Sequence, residues 1–153
     1  MEQENHSKGI MNGKRGLIMG VANERSIAWG IADAIAKQGA EIAFTYQGEA
    51  LQKRVAPLAE SVGSDIVIPC DVSSDEAIDK TFNLLKEKWN SIDFLVHAIA
   101  YSDKEELKGE YVDTTRENFY KTMDISVYSF TAVAQRAAAM MLDGGSMITL
   151  TYY

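Results

Sequence analysis

The stretch Gly20-Val21-Ala22-Asn23-Glu24-Arg25-Ser26-Ile27-Ala28-Trp29-Gly30 carries the strongest chemical signal in the sequence. It joins the short apolar run Leu17-Ile18-Met19 to Ile27, Ile31, Ala34 and Ile35, which recur as one face of a helix. A glycine turn between strand and helix lets the backbone approach a pyrophosphate, and the free N–H groups and positive dipole end of the helix attract its oxygens. The chemistry this would serve is dinucleotide binding. The spacing departs from G-x-G-x-x-G, with Glu24 and Ser26 where a second glycine is looked for, so an ordinary strand-to-helix connection stays open as the alternative. Ser26 would either lie along the phosphates or cap its helix, and the two roles are compatible.

Other polar residues stand at the ends of apolar runs. Gln47 follows Glu41-Ile42-Ala43-Phe44-Thr45-Tyr46, about where a simple NAD site places an acid for the adenosine ribose hydroxyls. An amide can still bond a ribose, whereas a 2′-phosphate usually wants arginine or lysine. Lys53 and Arg54 lie further on and read as solvated helix residues, so NADH is favoured over NADPH. Asp71 ends the run Asp65 to Cys70 and is either a site acceptor or a helix cap. His97 reads as a structural, tautomer-fixed histidine more readily than as a general base, and no metal-ligand cluster accompanies it. The single cysteine, Cys70, has no internal disulfide partner and reads as a small buried thiol.

The elements that must hold these residues alternate regularly. A helix from Ser26 to Gln38 stops at Gly39, a second strand runs from Glu41 to Tyr46, and a second helix from Glu49 to Val62 carries Pro57, expected to kink or divide it. A third strand covers Asp65 to Cys70. Ser73 or Ser74 caps a helix with Ile78, Phe82, Leu85 and Trp89 at helical spacing. A fourth strand, Asp93 to Ile99, leads into a polar loop from Tyr101 to about Thr114. A long helix from Thr115 to Leu142 follows, with Phe119, Met123, Val127, Phe130, Ala134, Ala137 and Met141 recurring at threes and fours, and Ser146 to Thr151 is the fifth strand. Continuously apolar strands alternating with helices predict an α/β, doubly wound parallel sheet with helices on both faces, a Rossmann fold. Right-handed crossovers then bring Gly20, Gln47, Asp71, Ile99 and Tyr152 to one sheet edge, and this convergence is the strongest argument for a site.

The 153 residues suit one domain, read as a loose polar leader over 1–12 and a dinucleotide-binding domain over 13–153, and 46% hydrophobic content is enough for a core. The net charge of -7 disfavours nonspecific attraction to nucleic acid or to an anionic membrane. No apolar run is long enough for a transmembrane helix, and the N-terminus lacks the apolar centre of a secretory signal.

Taken together, Gly20 to Gly30 with its Ser26-Ile27-Ala28, Phe44-Thr45-Tyr46, Cys70-Asp71-Val72, His97-Ala98-Ile99-Ala100, Asp124-Ile125-Ser126 and Leu150-Thr151-Tyr152 resemble the bacterial NADH-dependent enoyl-acyl-carrier-protein reductases, in the divergent branch of the short-chain dehydrogenases. The resemblance covers nearly everything after Asn12. It implies hydride transfer from NADH to the β-carbon of a trans-2-enoyl thioester on acyl carrier protein, in fatty acid elongation, by a cytoplasmic homotetramer. By analogy Gly20, Ser26 and Ile27 would lie along the pyrophosphate and Gln47 near the adenosine end. Asp71 and Val72 would bracket the adenine, and Ile99 would border the nicotinamide-side ribose. Tyr101 and Ser102 would open the acyl pocket, and Tyr152 matches the first of two tyrosines beside the substrate.

Family members carry Tyr-x6-Lys shortly beyond the Leu-Thr-Tyr strand end, and the sequence stops before it. The expectation is therefore the first part of a longer protein, with these 153 residues alone inactive. A non-catalytic dinucleotide-binding module is the alternative of a different class. A carbonyl-reducing short-chain dehydrogenase is weakened by Thr149-Leu150-Thr151 where such enzymes usually carry a catalytic serine. The Ala-rich stretch with Ala132, Ala134, Ala137, Ala138 and Ala139 would pack closely against a symmetry mate, although alanine also favours helix for its own sake.

Overall fold

A computed structural model describes residues 9–151. Five strands, β1 (Arg15–Met19), β2 (Glu41–Tyr46), β3 (Val67–Pro69), β4 (Phe94–His97) and β5 (Ser146–Thr149), form one sheet of order β3-β2-β1-β4-β5. All neighbours are parallel, with Ile18 paired to Phe44 on one side and to Val96 on the other. The order means that the chain winds outward from β1 to β3 and then returns to lay β4 on the opposite side of β1. The crevice outside the carboxyl ends of β1 and β4 is thus the switch point where open α/β sheets bind ligands.

Both faces of the sheet are covered, which is why its central strands are apolar at every position instead of alternating. On one face Ile18, Phe44 and Val96 meet Ala28 and Ala32 of α1 (Ile27–Ala36) and Val55 and Ala59 of α2 (Glu49–Ser61). On the other, Leu17, Met19 and Leu95 meet Ile78, Phe82 and Leu85 of α3 (Asp75–Lys88) and Val133 and Ala137 of α5 (Ser129–Ala138). Each fully buried Leu, Ile or Phe in these layers contributes about 1.5–3 kcal/mol.

Several elements differ from the sequence reading. Helix α1 turns Ala28 and Ala32, not Ile27 and Ala34, towards the sheet, and Ile27 is 68% exposed. Two alanines one turn apart let the helix axis lie close to the strands, so packing overrides the larger apolar side chains. Helix α2 runs through Pro57 undivided. Strands β3, β4 and β5 are shorter than their apolar runs, and the loop after β4 contains two 3₁₀ turns, Lys104–Leu107 and Tyr111–Asp113.

The expected long helix is split into α4 (Arg116–Met123), a π turn (Asp124–Tyr128) and α5. Here the Ser129 hydroxyl donates to the Ile125 carbonyl at 2.6 Å. A π turn inserts an extra residue into the helical repeat, so apolar positions spaced as one face do not stay on one face. Phe119, Met123 and Val127 are exposed, whereas Val133, Ala137 and Met140 are buried. Ala132 and Ala137 are buried inside the chain, whereas Ala138 and Ala139 are exposed.

Of the expected leader, residues 1–8 lie outside the described residues. Gly9–Asn12 form a turn held by the Met11 N–H on the Gln38 carbonyl, 3.0 Å, against the end of α1. Among the described residues no helix is long and apolar enough to cross a membrane.

Candidate functional site

The carboxyl ends of β1, β2, β3 and β4 enclose a cavity of about 560 Å³ lined by Gly20, Gln47, Asp71, Val72, Ile99 and Tyr101 among others. That volume falls in the range of small-molecule sites, roughly 300–1,000 Å³. Sheet topology alone brings these residues together, since they follow four different strands.

Gly20 ends β1 with φ 107, a left-handed conformation, and a Cβ there would run into the Ala98 carbonyl beyond β4. Glycine is needed at that point on both counts. The loop after it is organised by Ser26, whose hydroxyl accepts from the Ala22 and Asn23 N–H groups at 2.9 and 3.0 Å and donates to the Asn23 carbonyl at 2.8 Å. Ser26 stands at the N-cap position of α1 but its side chain makes no cap bond. The first-turn N–H groups, which have no intrahelical acceptors in any helix, are thus left for another partner. Neither Ser26 nor Ile27 lines the cavity. Gly30 needs no special explanation: a Cβ there would meet open space.

Asp71 is not a helix cap. That role falls to Ser74, whose hydroxyl accepts from the Ala77 N–H at 3.2 Å. The Asp71 carboxylate instead accepts from the Ser73 N–H at 2.9 Å and the Ser73 hydroxyl at 2.7 Å. The Ser73 hydroxyl is the main reason its pKa lies below the ordinary carboxylate value; partial burial opposes this, and the Ser73 N–H and the Gln47 amide reinforce it. An anion is therefore fixed at the β3 end with Gln47 of the neighbouring strand beside it. Burial pushes the Cys70 thiol up, which leaves it protonated and unreactive at neutral pH.

At the other end of the cavity, Tyr101 stands at the mouth beside Lys121 and Ile125. The Tyr101 hydroxyl donates to Asp103 at 2.8 Å, Lys121 Nζ reaches the same carboxylate at 2.8 Å, and the ammonium sits 4.9 Å from the Tyr101 ring centroid. Lys121, through its side-chain hydrogen bond, lowers the Asp103 pKa, and Asp103 raises that of Lys121. Ser102 is turned away: its hydroxyl meets Asn118 and Thr122 and does not line the cavity. Tyr152 lies outside the described residues.

His97 is buried, with Nε2 2.7 Å from the Ser129 hydroxyl and Nδ1 3.2 Å from the Thr149 hydroxyl. It does not reach the cavity. Lys121 and Asp103 escape the sequence reading, and Ser73, read there as one of two candidate caps, bonds Asp71 instead. Asp71-Val72-Ser73 is a recognisable Asp-x-Ser turn signal, whereas nothing in the spacing of Asp103 and Lys121 marks them as a pair.

Comparison with known proteins agrees with this geometry. The profile of a family described as enoyl-(acyl carrier protein) reductase matches residues 20–153. "Enoyl-[acyl-carrier-protein] reductase [NADH] 1" of Rhizobium meliloti is 65% identical over 147 residues, covering 96% of this chain and 54% of that protein. The crystal structure of FabI from Candidatus Liberibacter asiaticus superposes with a TM-score of 0.93 at 55% identity, over 94% of this chain and 56% of that one. The reductase of Anaplasma phagocytophilum, solved in complex with NAD, gives 0.91 at 55% identity over 96% and 56%. The chain therefore spans about half the length of the relatives it matches. With five parallel strands in the order of a doubly wound fold and the profile running from Gly20 onward, the chain belongs to the enoyl-(acyl carrier protein) reductase family.

Proposed function

We propose that the protein reduces trans-2-enoyl-acyl-carrier-protein to the acyl form with NADH, in fatty acid elongation. The observation that carries this reading is the continuous cavity from Gln47 and Asp71, past Gly20, to Ile99 and Tyr101. Its relatives in Rhizobium meliloti bear the name of an NADH enoyl reductase, and the Anaplasma phagocytophilum structure holds NAD.

The residues present fit a dinucleotide. Asp71, already an anion, would accept from the adenine amino group with Val72 against the ring, and Gln47 would bond the adenosine ribose. At the end of β2 the cavity presents the Gln47 amide where a 2′-phosphate usually wants arginine or lysine, which favours NADH over NADPH. The first turn of α1, its N–H groups spared by the Ser26 side chain, would attract the pyrophosphate across the tight Gly20 turn. Ile99 would border the nicotinamide-side ribose. NADH supplies the hydride. Ala98, Ile99 and Ile125 line that end with apolar groups, which would disfavour water where charge develops on the thioester oxygen. Tyr101 would flank the acyl chain, and Tyr152 would stand beside the substrate.

Thr149 argues against the carbonyl-reducing alternative, because its hydroxyl lies 3.2 Å from His97 Nδ1 and does not line the cavity. The homotetramer and a cytoplasmic location belong to the same reading. Phe119, Tyr120, Met123, Val127 and Tyr128 are exposed apolar side chains that further copies would cover.

The test is turnover by the protein expressed from its own gene. NADH should be consumed on addition of a trans-2-enoyl thioester, with NADPH a poor substitute. NADH binding with no consumption would instead support a non-catalytic dinucleotide-binding module.

A further inference from the structure

Tyr101 stands at the mouth of the cavity, yet the segment Tyr101–Asp103 that carries it has no regular secondary structure of its own. Its backbone is held instead by side chains from one face of α4 and the π turn. The Tyr101 N–H donates to the Ser126 hydroxyl at 2.9 Å, and that hydroxyl donates back to the Tyr101 carbonyl at 3.1 Å. Asn118 Oδ1 accepts from the Asp103 N–H at 3.0 Å, while Asn118 Nδ2 donates to the Ser102 hydroxyl at 3.1 Å. Thr122 adds a hydroxyl contact to Ser102 at 3.2 Å.

Residues 118, 122 and 126 recur at fours, so one helical stripe meets three consecutive residues of an otherwise unsupported strand exit. Asn118 is only 4% exposed, and both ends of its amide are used. The Lys121–Asp103 ion pair is exposed and holds little by comparison. A buried amide and a hydroxyl that both gives and accepts are directional, and they fix the path of the segment.

We propose that Asn118 and Ser126 are positioning residues for the acyl substrate: acting through the backbone of Tyr101–Asp103, they set the wall against which the enoyl thioester lies. This rests on the enoyl reductase reading. Gln47, Asp71 and Gly20 follow β2, β3 and β1, so the dinucleotide end is not held by this stripe. Loss of the clamp therefore loosens thioester binding and spares the cofactor.

The test joins amide hydrogen exchange with steady-state kinetics on the protein expressed from its own gene. Ser126→Ala speeds exchange at the Tyr101 N–H, and Asn118→Ala does so at Asp103, each by about tenfold. Both raise KM for the enoyl thioester by about fivefold or more, with the NADH dissociation constant within about twofold of wild type. Ser126→Thr keeps the hydroxyl and restores the wild-type values. Should Asn118→Ala fail to fold, Ser126→Ala and its threonine rescue carry the test alone. Unchanged exchange at Tyr101 in Ser126→Ala, or NADH affinity falling in step with thioester KM, overturns the proposal. A wild-type protein that binds NADH but turns over no enoyl thioester overturns the functional reading, and the exchange rates then still decide whether the clamp exists.

Discussion

His97 Nε2 lies 2.7 Å from the Ser129 hydroxyl, with both side chains closed off from solvent. Ser129 has one hydroxyl proton and gives it to the Ile125 carbonyl, so it must accept from His97, which places the imidazole proton on Nε2. Nδ1 is then the acceptor for the Thr149 hydroxyl. One neutral ring thus ties β4 and β5 to the start of α5, where Ser129 in turn holds the carbonyl of Ile125, a residue that lines the cavity.

Burial lowers the His97 pKa below its ordinary value of about 6.5. Between the folded and unfolded values the unfolded chain binds more protons, so stability rises with pH through that window. The contribution is complete above about pH 6.5 and is lost as pH falls through the folded pKa. Urea melts at about pH 5 and 7.5 should show a smaller stability difference in His97→Gln than in wild type. An equal difference in both proteins contradicts this.

Ser129→Ala leaves the Nε2 proton of His97 buried without an acceptor and should cost about 1–3 kcal/mol. Denaturant midpoints measure this, and a loss below about 0.5 kcal/mol would mean that the ring finds another partner.

Two glycines in the same motif should behave oppositely. Gly20→Ala forces a Cβ into the Ala98 carbonyl at positive φ and should destabilise by about 1–3 kcal/mol or more. Gly30→Ala, in α1 with open space around its Cβ, should stabilise by up to about 1 kcal/mol. Thermal melts of the two variants decide the matter, and equal losses would mean that Gly30 is held by something other than helix propensity.

Asp71→Asn should weaken NADH binding by about tenfold, the worth of a charged acceptor, while leaving affinity for reduced nicotinamide mononucleotide, which lacks the adenine, unchanged. Equal loss for both ligands would place Asp71 elsewhere than at the adenine.

Along α3, Phe82 is buried and Leu84 exposed. Phe82→Ala should cost about 3–5 kcal/mol and Leu84→Ala under about 0.5 kcal/mol in a denaturant melt. Similar losses would contradict the orientation of the helix.

The fold was legible because strand composition reports burial on both faces, and the ends of β1 to β4 follow from the connection rules. The termini of β2 were read without error, since Ala40 and Gln47 lie outside the apolar run. Faces of helices were harder. Ala28 and Ala32 face the sheet because small residues permit close approach, a choice made by packing and invisible to hydrophobic periodicity. The break at Asp124–Tyr128 depends on where the Ser129 hydroxyl points, which spacing does not show. Gln47 and Asp71 line the cavity, as their position after a strand leads one to expect. The directions of the Ser26 and Ser102 hydroxyls are not legible in the sequence, because each is set by bonds within its own loop or to a neighbouring helix.

The most direct measurement of the central claim is NADH absorbance during incubation of the protein, expressed from its own gene, with a trans-2-enoyl thioester. The account predicts stoichiometric loss of NADH with formation of the saturated thioester, and a strong reduction in that rate at limiting NADH in Asp71→Asn. Steady absorbance in the presence of protein that demonstrably binds NADH would contradict it.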